Sequence, residues 1–211
     1  LAIVEQADGA TVRGFAMGLW RHPGKLVQAA MLRASLFAVP YWTGAWVVRA
    51  EGVSENDTTL KAVALFDGRQ EMRVECDLLG VGYGLVPNTH LAALLGCSVE
   101  GGVVRTDERM RAGDGVFAAG EPTGIGGVEV ALLEGQVAGL TAAGKDEDAR
   151  RLLGKLRRAR GFAGALNEAF ALRPEVKKLA KLETTVCRCE DVVWGRIRAC
   201  SSWRDAKLQT R

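Results

Sequence analysis

The stretch TTVCRCEDV, residues 184–192, sets Cys187 and Cys189 one residue apart. Side chains alternate in an extended chain, so both sulfurs of such a pair turn to the same side, as metal or cluster ligands do. The two are poor disulfide partners, because i and i+2 positions in an extended chain approach the upper end of usual Cα spacing, about 6.8 Å. A tetrahedral site needs four ligands, and this stretch shows only two. Iron–sulfur ligation, a zinc site and a pair of inert cysteines all fit the spacing. His22 and His90 are the only histidines. Each reads as a surface or turn residue, and no general base stands out.

A second constellation lies in VFAAGEPTGIGGVEVALLEG, residues 116–135. A short apolar strand delivers the chain to Gly120 and Glu121, a glycine-rich turn follows, and a helix begins near Gly127. The first N–H groups of a helix have no partner inside it, and its dipole makes that end partly positive. Glycine lets the backbone approach a ligand closely. An electron-rich ligand edge is therefore expected at Gly126, Gly127 and Val128, with Glu121 placed to accept hydrogen bonds from a sugar or sugar-alcohol hydroxyl. A tight strand-to-helix connection without a ligand has the same spacing. At the amino end, LAIVEQ resembles the second strand of a Rossmann unit, whose terminal acid, here Glu5, bonds a ribose 2′-OH. The glycine fingerprint of such a unit lies roughly 20 residues upstream, before Leu1. A simple turn role for Glu5 is the alternative.

The elements that carry these residues can be read from hydrophobic periodicity. Residues 1–5 form a buried strand followed by a turn in QADGA, and residues 22–39 are helical after a Pro-Gly start. Residues 45–52 form a strand. Residues 59–84 alternate around Asp67-Gly68, a hairpin signal, and close on a strand, CDLLGVGYGLVPN, that ends in glycines. Residues 128–144 form a helix with Gly144 as its cap. KDEDAR is a polar linker with acids where a helix starts, and a basic helix then runs to RPEV. Strand–helix alternation over the first two thirds indicates an α/β fold, followed by a mainly helical end.

The totals narrow the classes. The chain has 211 residues, 48% hydrophobic and 25% charged, which is ordinary globular composition. No run of 18 apolar residues indicates a membrane span, and no secretory signal is visible. Five cysteines, an odd number, then argue for a reducing compartment and a cytoplasmic location. Residues 1–144 carry 11 Lys/Arg against 16 Asp/Glu, and residues 145–211 carry 17 against 9. The basic end reads as a solvated helical surface or a docking face for an acidic partner. It lacks the interleaved aromatics that nucleic-acid binding would favour. The chain opens on Leu1 with a strand already under way, so it reads as a piece of a longer polypeptide.

Residues 115–144 resemble the second flavin-contacting motif of flavoproteins with two dinucleotide-binding domains. That likeness implies a helix amino end pointed at the isoalloxazine pyrimidine ring, and Glu121 on the ribityl chain where the family usually has Asp. CDLLGVGYGLVPNTHLAALLG is similar to the crossover strand that returns the chain to the FAD domain in that group. VCRCEDVVWGRIRAC resembles the start of the bacterioferritin-associated-ferredoxin-like 2Fe-2S domain, which draws two further cysteines from a second loop. Those would lie past Arg211. Cys200 is not at that spacing and, like Cys76 and Cys97, reads as a core residue. Together these stretches resemble the α subunits of bacterial amino-acid and opine dehydrogenases. The likeness covers most of residues 45–211 and is weak over 8–45.

The resemblance implies a remnant of an NAD(P)-type domain over 1–75 and the end of an FAD domain over 76–144. A helical linker over 145–183 and the start of the 2Fe-2S domain over 184–211 follow. The implied cofactors are FAD and a 2Fe-2S cluster, for which Cys187 and Cys189 are two of four ligands, with Arg188 offsetting cluster charge. NAD(P) or another adenine nucleotide is the candidate occupant of the first domain. Implied partners are an electron acceptor and a β subunit carrying the substrate-oxidising flavin. Two alternatives stand beside this. One is a disulfide reductase of the pyridine-nucleotide type, which needs a C-x-x-C or C-x4-C pair absent from this chain. The other is a truncated, non-catalytic fragment without cofactor.

Overall fold

A computed structural model describes residues 1–52 and 59–209. In chain order the elements are β1 (Ile3–Glu5), α1 (Gly9–Gly18), α2 (Pro23–Ser35), β2 (Tyr41–Thr43), β3 (Trp46–Gly52), β4 (Leu60–Phe66), β5 (Glu71–Glu75), α3 (His90–Leu94), β6 (Val99–Glu100), β7 (Val103–Val104), β8 (Arg111–Gly113), β9 (Val116–Phe117), α4 (Gly127–Ala142), α5 (Asp146–Ala169), β10 (Thr185–Cys187), β11 (Val192–Val193), α6 (Trp194–Arg198) and α7 (Trp203–Gln209). They form two compact units, each assembled from separated stretches: Leu1–Gly44 with Gly80–Ala171, and Ala45–Leu79 with Leu172 onward. The ranges set out from the sequence run in succession along the chain, whereas each unit gathers distant segments.

In the first unit β1 pairs parallel with β2, Ile3 opposite Tyr41 and Glu5 opposite Thr43. Parallel strands need a crossover, which α1 and α2 supply. Asp8 starts α1 by accepting hydrogen bonds from the Ala10 and Thr11 N–H groups at 2.9 and 2.8 Å. The sequence reading has only a turn here. Three glycines in the helix hide its periodicity, while the cap that nucleates it is a single aspartate. Pro23 opens α2, where its missing N–H costs nothing. α2 ends at Ser35, short of the expected 39.

Helices α4 and α5 hold the core of this unit. Met110, Val130, Val137, Ala138, Ala149, Leu156, Ala159 and Ala163 are buried together. Small residues on both helices let them pack closely. Gly144, at φ +71°, closes α4. Lys145 N–H reaches the Leu140 carbonyl and Gly144 N–H the Thr141 carbonyl, the paired bonds of a Schellman cap. Phe15 packs edge-on against Phe170 at 5.3 Å and lies 6.1 Å from Phe162, fastening α1 to α5.

The second unit is built on an antiparallel sheet in the order β3-β4-β5. Its central strand is the most buried, from Ala62 to Leu65. The hairpin turn falls where Asp67-Gly68 predicts it. Asp67 Oδ1 accepts from the N–H groups of Arg69 and Gln70, which hold its carboxyl below the usual range. Trp46 and Phe66 are register partners with rings 5.4 Å apart. The Arg173 guanidinium sits 4.6 Å over Trp46. Glu51 is held between Arg73 and Arg49, whose hydrogen bonds lower its carboxyl pKa.

Two expected strands differ. Residues 76–89 form no helix or strand. Gly80, Gly82, Gly84 and Pro87 weaken pairing there, and Leu78, Val81, Leu85 and Val86 are exposed. The strand before the glycine loop shrinks to Val116–Phe117 of β9, a hairpin partner of β8.

Candidate functional site

The site is built from the end of β9 forward. Ala118 N–H donates to the Met110 carbonyl, and the chain turns at Gly120, whose φ of +80° and ψ of −145° suit glycine alone. A short 3-10 turn over Glu121–Thr123 follows. Thr123 N–H closes it on the Gly120 carbonyl at 3.0 Å. Glu121, its first residue, is exposed.

A carboxylate that sequence reasoning missed anchors this turn. Glu134, on the second turn of α4, is 3% exposed. Its Oε2 accepts from the Gly120 N–H at 2.8 Å and from the Thr123 hydroxyl at 2.6 Å. Its Oε1 accepts from Arg160 Nε and Nη2 at 2.9 and 2.7 Å. The one available signal was an acid in the middle of a helix made mostly of small and apolar residues.

The loop then reaches α4. Asn167 Nδ2 donates to the Ile125 carbonyl at 2.8 Å, tying the loop to α5. A Cβ on Gly126 would lie 2.7 Å from Val130 Cβ, so no side chain fits there. Gly127 opens the helix at φ +77°, and a Cβ on it would meet nothing within 4 Å. No side chain caps α4, so the first-turn N–H groups, which have no intrahelical acceptors, are left for solvent or a ligand. Val128 and, one turn on, Leu132 are exposed at 76% and 62%. Glu129, in the same first turn, is drawn to Lys25 at 3.1 Å. Gly120, Glu121, Gly126, Gly127 and Val128 thus form one continuous turn and helix tip. Its polarised N–H groups, exposed carboxylate and apolar side suit a flat ring with an electron-rich edge and a hydroxylated tail, as a flavin presents.

Glu5 lies at the carboxyl end of β1. One of its oxygens accepts from Ala7 N–H at 2.8 Å, a turn contact. Burial raises the pKa of the Tyr41 hydroxyl above its ordinary 10.0, and the Glu5 charge raises it further. The cysteine pair lies in the second unit. Cys187 ends β10, while Cys189 lies in the turn that leads to β11, where Asp191 adopts φ +48°. The expected extended Cys-x-Cys is therefore bent at its second residue, because the hairpin reverses there. Both thiols are free, Cys187 half-buried and Cys189 exposed. Among the described residues, no group of three or more His, Cys, Asp or Glu is placed to hold a metal ion. Cys97 is buried, while Cys76 and Cys200 are half-buried. No helix among the described residues is long and apolar enough to cross a membrane.

Comparison with known proteins agrees with this architecture. The chain is 33% identical over 180 residues to an opine oxidase subunit from Rhizobium meliloti, covering 73% of this chain and 38% of that protein. It is 28% identical over 185 residues to the hydrogen cyanide synthase subunit HcnB of Pseudomonas aeruginosa, covering 77% and 39%. The Pseudomonas protegens HcnB is 28% identical over 213 residues, covering 88% and 44%. The chain thus spans about two fifths of the length of these relatives. Its mixed α/β elements fit a dinucleotide-binding flavoprotein fold. Residues 28–135, half of the chain and including the whole Gly120–Val128 turn, match the pyridine nucleotide-disulphide oxidoreductase family, to which this chain belongs.

Proposed function

We propose that this chain is part of an FAD-dependent oxidoreductase subunit of the amino-acid or opine dehydrogenase type, with the flavin ring at the amino end of α4. The observation that carries the reading is the uncapped tip of α4, bounded by Gly126 and Gly127 and preceded by the exposed Glu121. The N–H groups at Gly127 and Val128 donate to the electron-rich edge of the ring, and the helix dipole favours negative charge there. Glu121 accepts from a ribityl hydroxyl. Gly120 keeps the turn in a conformation that other residues resist. FAD, when bound, supplies the electron-accepting chemistry, while the protein binds and orients it.

Glu5 is proposed to meet a ribose hydroxyl of an adenine nucleotide, NAD(P) among the candidates, through the oxygen not used by Ala7. Cys187 and Cys189 are proposed as two of the four thiolate ligands of a 2Fe-2S cluster that passes electrons onward. A separate electron acceptor and a partner β subunit complete the proposal, with the assembly in the cytoplasm. The relatives named above are themselves described as subunits, which supports it.

The visible absorption spectrum of the purified full-length protein tests the reading. Flavin bands in the blue are expected, with a red-brown shoulder that disappears in the Cys187→Ser/Cys189→Ser variant while the flavin bands remain. A colourless protein that stays colourless after incubation with FAD would refute the flavin assignment. A yellow protein whose spectrum the serine variant leaves unchanged would remove the cluster.

A further inference from the structure

We infer that Glu134 is the positioning residue of this site: its buried carboxylate fixes the Gly120–Thr123 turn, and through it the placement of Glu121 and the tip of α4. The inference rests on the flavin reading above. A buried carboxylate is costly unless it is both paired and hydrogen-bonded. Glu134 has both, and its bonds are divided by function. Oε1 takes the two Arg160 donors, which supply the charge. Oε2 takes the Gly120 N–H and the Thr123 hydroxyl, one from each end of the turn that carries Glu121. One side chain thus joins α4, α5 and the turn. Arg160 Nη2 also lies 3.6 Å from Met110 Sδ, beside the hairpin of β8 and β9 that feeds the turn.

An ion pair kept only for stability is replaceable by apolar residues of similar volume. An acceptor for Gly120 N–H is not. Two double variants in the full-length protein separate these roles. Glu134→Leu/Arg160→Met fills the volume and removes both charges, but leaves the Gly120 N–H without an acceptor and the Thr123 hydroxyl with only the Gly120 carbonyl, 2.8 Å away. Glu134→Gln/Arg160→Met also removes both charges and keeps a carbonyl oxygen for them. FAD affinity is read by quenching of flavin fluorescence, with the fine structure of the blue absorption band as a reporter of the ring's surroundings.

The Leu/Met variant is expected to bind FAD about tenfold more weakly, as loss of a buried hydrogen-bond acceptor implies, with an altered band shape. The Gln/Met variant is expected to stay within about threefold of wild type, with the wild-type band. Wild-type binding and band shape in the Leu/Met variant would overturn the inference, and so would equal weakening in both. Should the Leu/Met variant fail to fold, Thr123→Val decides, because it spares the ion pair and removes the hydroxyl that meets both Glu134 Oε2 and the Gly120 carbonyl. Weakening by a few-fold supports the positioning role, and unchanged affinity overturns it. Failure of the wild-type protein itself to bind FAD overturns the flavin reading and this inference together, which distinguishes it from the other outcomes.

Discussion

Replacing Gly126 by alanine isolates one contact at the head of α4. The backbone there, φ −109° and ψ −4°, is open to any residue, so the substitution adds no backbone strain. Its whole cost is the new methyl group. That carbon would lie 2.7 Å from Val130 Cβ, 2.7 Å from Cγ1 and 3.0 Å from Cγ2. Ordinary carbon contacts are about 3.5–4.0 Å. Rotating the valine moves its γ carbons but not its Cβ, and a β-branched residue in a helix has one strongly preferred rotamer. Val130 is 4% exposed, so it has no solvent to move into. The backbone between Gly126 and Val130 must therefore shift, at the cost of overpacking, about 1–3 kcal/mol.

Thermal unfolding followed by far-ultraviolet circular dichroism checks the figure. In a protein of this size 1 kcal/mol moves the midpoint by about 2–4 °C, so Gly126→Ala should lower it by about 2–12 °C. Gly135 provides the internal control. It lies on an exposed face of α4, and a Cβ there would meet nothing within 4 Å. Gly135→Ala should raise stability by about 0.5–1 kcal/mol through helix propensity. Val130→Ala should rescue Gly126→Ala only in part, since it deletes the γ contacts and leaves Cβ in place. The reasoning is refuted if Gly126→Ala unfolds at the wild-type temperature, or if the two alanine substitutions shift it in the same direction.

Three further outcomes follow from the same geometry. Tyr41 should ionise above the ordinary 10.0, by burial first and by the Glu5 charge second. Because the folded-state value is raised, the stability Tyr41 contributes is full below 10.0 and is lost as pH rises through the folded value. Glu5→Gln in a Tyr83→Phe background should bring the ultraviolet titration of Tyr41 part of the way down, and no change would show that Glu5 does not act on it. Asp8→Ala removes the cap of α1 and should cost about 1 kcal/mol, read as lost amide protection in α1 with α4 unaffected. Lys25→Met leaves Glu129 without its counter-charge beside the α4 tip. The pair is exposed, so stability should change by at most ~1 kcal/mol, while the midpoint potential of a bound flavin should become more negative; a large loss of stability with an unmoved potential would contradict this.

What the sequence made legible was local. The Asp67-Gly68 hairpin, the Gly144 cap and the start of α4 each depend on residues within a few positions of one another, and each stands where periodicity and turn chemistry place it. The α/β class follows from the same signals. What it concealed depends on distance along the chain. Nothing in residues 45–79 announces that they join with the stretch after Leu172, because Arg173 over Trp46 is a contact across more than a hundred positions. Residues 76–89 read as a strand because they are apolar, yet a strand also needs a partner, and among the described residues no pairing partner is supplied there. Glu134 has its partners at 120, 123 and 160, so no window of ordinary length contains the set.

The glycines that first suggest a ligand turn out to be weaker evidence than the groups beside them. Gly126 is required by Val130 alone, and a protein with no cofactor would need it equally. Gly127 is required by its positive φ, again a demand of the chain itself. Neither therefore argues for a flavin. The weight falls instead on what the chain leaves unsatisfied or exposed. No side chain caps the first N–H groups of α4, although Ser, Thr, Asp or Asn at Gly126 would be the usual remedy if contact with Val130 allowed one. Glu121 is exposed while Glu134, thirteen positions on, is buried and fully engaged. A helix tip denied its cap by its own packing, next to a carboxylate left free, is a place where the fold accepts a local cost. Such costs are expected where a ligand offsets them, and that difference between required glycines and unmet donors gives the flavin assignment its physical content.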